Sequence, residues 1–142
     1  MIEIINRQRK IKFDREIFQK FSESLAEKIE EIEKKSFTLV FVSDRKIKTL
    51  NNDFRGNNST TDVLSFPFEP DEFEADENQL GDIIISAEQA ERQSIENHLT
   101  FEREIKQLIL HGVLHLCGYD HETDNGEMNA RELELRDKLG IS

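Results

Sequence analysis

The sequence predicts an α+β fold: a small mixed, mostly parallel four-stranded sheet flanked by helices, in one domain spanning residues 1–142. Three observations point there. Strand-like and helix-like runs alternate along the first half of the chain, an order that favours a right-handed crossover and parallel pairing of the first two strands. Two further β-favouring runs are followed by segments with helical spacing only. Leu, Ile, Val and Phe supply 42 of 142 residues, enough for one core, since a chain of this length buries roughly 68–70% of its unfolded surface. No internal repeat or linker interrupts the pattern.

In order, Ile2-Glu3-Ile4-Ile5 is the first strand, and a basic stretch (Arg7, Arg9, Lys10, Lys12) leads to a helix from Asp14. Ile17, Phe18, Phe21, Leu25, Ile29 and Ile32 recur at helical spacing, which predicts about five turns. Phe37–Val42 is a nearly continuous β-favouring run suited to a strand covered on both faces, and Ser43 or Asp44 caps a short helix carrying Ile47 and Leu50. A loop over Phe54–Thr60 precedes the strand Thr61–Phe66, whose end at Pro67 places it near a sheet edge. Glu69–Glu77, with six acidic residues and no basic one, reads as a solvated loop. Leu80–Ile85 is the fourth strand, and Ser86 opens another helix. From Thr100 a helix carries Phe101, Ile105, Leu108, Ile109 and Leu116, with Gly118 placed to end it in a left-handed cap. The last helix starts around Thr123 or Asp124, with Met128, Leu135 and Leu139 on one stripe.

The formal charge of −11 excludes a surface coated for non-specific DNA binding. It divides unevenly: residues 1–55 carry +3 and residues 56–142 carry −14. Arg7, Arg9, Lys10, Lys12, Arg45, Lys46, Lys48 and Arg55 are thereby available to line one side of a cleft. The lone Cys117 allows no internal disulfide, residues 1–7 run into charge without a signal-peptide core, and no apolar run approaches the ~18 residues of a bilayer span. A reduced, cytoplasmic protein is expected.

Three of the four histidines fall between His111 and His121. On a helix, His111 and His115 stand one above the other and can meet one ion. A turn at Gly118 brings His121 back as a third ligand. Three neutral imidazoles with an open fourth position are the arrangement of a catalytic rather than a structural zinc, and they predict a zincin-like metal-bearing helix. The spacing matches the metzincin protease pattern, except that Gly112 stands where that pattern places its general-base glutamate. Cys117, two residues from His115, reads as a small core residue, and His98 as a surface residue at a helix end.

Beyond the histidines, the segments Leu50-Asn51-Asn52-Asp53-Phe54-Arg55-Gly56, Thr61-Asp62-Val63-Leu64-Ser65-Phe66-Pro67 and Leu80-Gly81-Asp82-Ile83-Ile84-Ile85-Ser86 follow in order. With His111–His121 they resemble the YbeY family, metal-dependent endoribonucleases of bacterial ribosomal RNA maturation. The resemblance implies His111, His115 and His121 as ligands of one Zn2+ per chain, and matches Arg55 to the family arginine required for cleavage. It implies a single-strand-specific endoribonuclease, acting in 16S rRNA 3′-end maturation and ribosome quality control. The implied partners are single-stranded RNA (the 16S rRNA precursor) and the small ribosomal subunit or its proteins, with no DNA and no membrane.

A three-histidine zinc is suited to a reaction that loads negative charge onto a phosphoryl group, and a planar guanidinium binds two phosphate oxygens at once. Alternatives stand beside this reading: a hydrolase of metalloprotease type, or a non-catalytic ribosome-assembly factor braced by its metal. Spacing alone also allows Arg55 a surface ion pair with Asp53. Asp120 either orients a ligand histidine or caps a turn. Asp62 and Ser65 either support the cleft or end a strand, and Glu104, two turns before His111, is more simply solvated than a support to the metal ligands. Zinc is not separated from nickel or another borderline ion, nor a water nucleophile from the ribose 2′-hydroxyl.

Overall fold

Side chains alternate along the strands and divide the apolar residues between two faces of one sheet. Among the described residues, 2–68 and 78–142 of this computed structural model, the strands are β1 (Glu3–Asn6), β2 (Ser36–Val42), β3 (Val63–Pro67) and β4 (Gln79–Ser86), in the order β1-β2-β4-β3. β1 runs parallel to β2 and β2 to β4, while β3 pairs antiparallel with β4 at the edge where Pro67 costs no ladder bond. The expected acidic loop, Glu69–Glu77, lies outside the described residues.

Leu39, Phe41, Ile83 and Ile85 face the larger core, under α1 (Arg15–Lys28), α4 (Phe101–Leu116) and α5 (Glu127–Leu139), with Ala87 and Ala90 of α3 (Ala87–Glu96) closing it. Val42, Leu64 and Ile84 face the other way, onto Ile47 of α2 (Asp44–Arg55). Phe13, Phe18, Phe41 and Phe101 stack in tilted contacts within the larger core, with the Phe13–Phe41 centroids 4.6 Å apart.

The strands shift by one or two residues from the sequence reading, and three helix boundaries differ from it. The first helix stops a turn early: Ile29 is extended (φ −109, ψ 120), and a short 3-10 turn, Glu30–Ile32, follows. Glu30, Glu31 and Glu33 would crowd the negative end of a longer helix dipole, and the break still buries Ile29 and Ile32. Phe54 and Arg55 belong to the last turn of α2, not to a loop, because the stop is Gly56 at φ 71. The last helix begins at Glu127: the Asp124 carboxylate accepts from Gly126 N and Met128 N at 2.9 Å, so Asp124 anchors the loop before the helix instead of entering it.

Candidate metal centre

α4 crosses close to the sheet because residue 112 has no side chain. A Cβ on Gly112 would stand 2.9 Å from Ile83 Cγ2, so this position faces the core and not the cleft. A glutamate there has no room and no route to a substrate. His111 and His115, on the neighbouring stripe of the same helix, face outward into a cleft of about 420 Å³ that they share with His121, Arg55, Asp62 and Ser65.

Each helical histidine is held from behind. His111 Nδ1 donates to Glu132 Oε1 at 2.6 Å, and the second oxygen of Glu132 accepts from Arg136 Nη2 at 2.8 Å. Burial pushes the Glu132 carboxyl up, but the His111 hydrogen bond and the charge of Arg136 outweigh it and hold the group below its usual range. His115 Nδ1 donates to the Tyr119 carbonyl at 3.0 Å. That carbonyl is placed by the end of α4: Gly118 at φ 101 donates to His115 O at 3.0 Å and Tyr119 N to Leu114 O at 3.1 Å, the paired bonds of a Schellman cap. Burial, and then the neighbouring imidazoles, lower the His115 pKa, so this ring is neutral and able to act as a ligand.

Behind the turn, Arg131 grips Glu31 with two bonds, Nε to Oε2 at 2.9 Å and Nη2 to Oε1 at 2.7 Å, and Tyr119 Oη donates to the same carboxylate at 3.1 Å. These bonds from Arg131 hold the Glu31 pKa down at about 2 against partial burial. Cys117 packs against the core, its thiol pushed up to about 11 by burial, which suits a small core residue and not a metal ligand.

With both Nδ1 atoms turned to partners, Nε2 is the atom that each of His111 and His115 presents to the cleft, and the two stand 3.1 Å apart. Ligands of a tetrahedral zinc at ~2.0–2.1 Å lie roughly 3.3–3.4 Å apart, close to the spacing found. His121 completes the set, with one nitrogen from each ring lying within 4.8 Å of the other two. The donor set fits a borderline divalent ion.

The other candidate residues have defined places. Arg55 lies on the cleft wall and, among the described residues, takes no ion-pair partner, Asp53 included. Ser65 Oγ donates to the Gly112 carbonyl at 3.4 Å, and Asp62 accepts from Val63 N and Gln93 Nε2, so both tie β3 to its neighbouring helices while lining the cleft. Asp120 Oδ1 accepts from Glu122 N at 3.0 Å, the turn-capping role. His98 is exposed just past the end of α3.

Two expectations are corrected. Glu104 is not solvated: it is 4% exposed and accepts from Asn97 Nδ2 at 2.8 Å. The basic residues do not gather, since of Arg7, Arg9, Lys10, Lys12, Arg45, Lys46, Lys48 and Arg55 only Arg55 lines the cleft. α2 rises ~1.5 Å per residue, which leaves Lys48 and Arg45 far along the helix from Arg55, and Lys10 pairs with Glu88 instead. Glu132 was missed. Its signal was an acidic residue on the apolar stripe Met128, Leu135, Leu139, four residues after Met128.

Scaffold and histidine set together define a zincin-like α+β protein. The family model described as Endoribonuclease YbeY matches residues 3–140. Among curated relatives, the Endoribonuclease YbeY of Clostridium beijerinckii is 38% identical, with 99% of this chain and 98% of the relative covered. That of Clostridioides difficile is 41% identical over 91% and 95%, and that of Nautilia profundicola 46% over 75% and 74%. The solution structure of TM1509 from Thermotoga maritima superposes with a TM-score of 0.67 at 31% identity, covering 98% of this chain and 89% of that one. The chain belongs to the YbeY endoribonuclease family.

Proposed function

We propose that this chain, acting as one unit over residues 1–142, is a single-strand-specific, zinc-dependent endoribonuclease of the cytoplasm. Its role would be 16S rRNA 3′-end maturation and ribosome quality control, on or near the small ribosomal subunit. One Zn2+ per chain is held by His111, His115 and His121. The observation that carries the metal is the geometry of the three rings: His111 and His115, each held by a partner on Nδ1, bring their Nε2 atoms to 3.1 Å, and His121 adds a third nitrogen. When bound, zinc supplies Lewis acidity and water activation near neutral pH, chemistry that needs no glutamate at position 112.

The chain's own residues do the rest. Glu132 and the Tyr119 carbonyl keep both helical imidazoles in the tautomer that presents Nε2. Arg55, unpaired among the described residues, offers two parallel N–H donors to non-bridging phosphate oxygens and opposes the charge that grows as the bond breaks. Asp62 and Ser65 hold the edge strand in register beside it. A peptide-cutting reading is disfavoured by the packing of Gly112 against Ile83.

The test is cleavage of single-stranded RNA by purified protein with its metal content measured. Chelation or His115→Ala abolishes cleavage. Arg55→Ala lowers turnover ~10²–10³-fold, as for other preorganised charges, while metal content stays at one per chain. Full activity in metal-free protein overturns the proposal.

A further inference from the structure

A second cavity, of about 490 Å³, opens on the other side of His111. It shares His111, Asp62 and Val63 with the metal cleft, so the two cavities adjoin at these three residues. Its chemistry differs. Asp62, Glu104 and Glu132 stand on its wall against one cation, Arg136, whose guanidinium is already paired with Glu132. A phosphate is repelled there. The apolar part of the lining, Val63, Leu99 and Leu108, suits the faces of a flat ring.

Its available polar atoms are mainly acceptors. Glu104 Oε1 takes the Asn97 amide at 2.8 Å, which leaves Glu104 Oε2 and Asn97 Oδ1 with no donor from the described residues. Glu104 is 4% exposed, and a carboxylate so enclosed is expected to have donors. Glu104 lines this cavity two helical turns before the metal ligand His111, on the same face of α4.

From this arrangement we infer that the cavity binds one unstacked nucleobase of the RNA, next to the phosphate held in the metal cleft, and that it selects guanine. The inference rests on the endoribonuclease reading above. An acceptor wall favours a base edge with adjacent donors, and guanine presents N1–H and N2–H2 side by side, two donors for the two remaining acceptors Glu104 Oε2 and Asn97 Oδ1. Adenine and cytosine offer only an amino group there, and uracil flanks its single N–H with two carbonyl oxygens that the wall repels. A base enters only if it leaves its stack and its pair, which gives a physical reason for single-strand preference.

The test has two arms. In the first, wild-type protein cuts mixed-sequence single-stranded RNA and the termini are mapped. Cuts fall beside guanine at least ~10-fold more often than beside uracil, and Glu104→Gln, which keeps shape and replaces an acceptor by a donor, erases that ratio with metal content unchanged. In the second, free guanosine and uridine are titrated into the protein with the Asn97 and Gln93 side-chain amides followed by NMR. Guanosine shifts them and uridine does not, and Leu99→Trp, which fills the mouth of the cavity, removes the response. Cleavage without base preference, a preference that survives Glu104→Gln, or amides indifferent to guanosine overturns the inference. A protein that cuts no RNA overturns the endoribonuclease reading instead, and the guanosine arm still decides whether the cavity takes a base.

Discussion

A carboxylate 2.6 Å behind His111 does two things: it fixes which nitrogen carries the proton, and it makes the opposite nitrogen a better electron donor. Glu132 is 7% exposed and is itself held by Arg136, so little freedom remains in the arrangement. Glu132→Gln keeps an oxygen for His111 but loses the charge, and is expected to weaken metal affinity ~10–100-fold. Competition against a chelator of known affinity measures this, and unchanged affinity would show that Glu132 serves only packing. Glu31 gives the pH counterpart. Its folded pKa of about 2 lies below the ordinary value of 4.5, so its contribution to stability is complete above pH 4.5 and is lost as pH falls toward 2. Glu31→Gln should lower the melting temperature at pH 7 by a few degrees, on the order of 1 kcal/mol for a partly exposed pair. At pH 2 the two proteins should melt together, and an equal gap at both pH values would refute the assignment.

At the scale of elements, the end of α4 decides the site. Gly118 and Gly126 share φ 101, and a Cβ on either meets nothing within 4 Å, so alanine at each costs only backbone strain, ~1–2 kcal/mol. Gly118 sets the Tyr119 carbonyl that holds His115, whereas Gly126 only starts α5. Gly118→Ala is expected to lower both melting temperature and metal affinity, and Gly126→Ala the melting temperature alone. Equal metal affinity in the two variants would refute the link between cap and ligand. The cap was legible in the sequence because its signal is local: two histidines four apart, a glycine, a third histidine. The strands and the cap residues Ser43, Ser86 and Thr100 were legible for the same reason. Glu132 and Glu104 were not, because their partners, His111 for Glu132 and Asn97 for Glu104, lie on neighbouring elements whose approach only the fold sets, and only their places on apolar stripes marked them. Helix ends slipped where a single backbone angle decided them, at Ile29 and Gly56.

At the scale of the molecule, a net charge of −11 must admit a polyanion. The metal cleft alone does not solve this, for among the described residues Arg55 faces Asp62, Asp120 and Glu122 on its walls. One positive charge against three negative ones repels phosphate, and a dication bound by the histidines brings the lining to balance. RNA binding itself should therefore depend on the metal, not only the chemical step. Since, among the described residues, no basic track extends the cleft, few phosphates are neutralised. With two or three contacts on a single strand, the slope of log affinity against log salt is about −1.4 to −2.1, at ~0.7 per phosphate. Fluorescence anisotropy of a labelled single-stranded RNA over a salt series reads both effects. Binding should fall at least ~10-fold on chelation at fixed salt, and the metal-loaded slope should stay shallower than about −3. A slope of −5 or steeper would require a basic surface that these residues do not form, and binding indifferent to chelation would place the phosphate away from the three histidines.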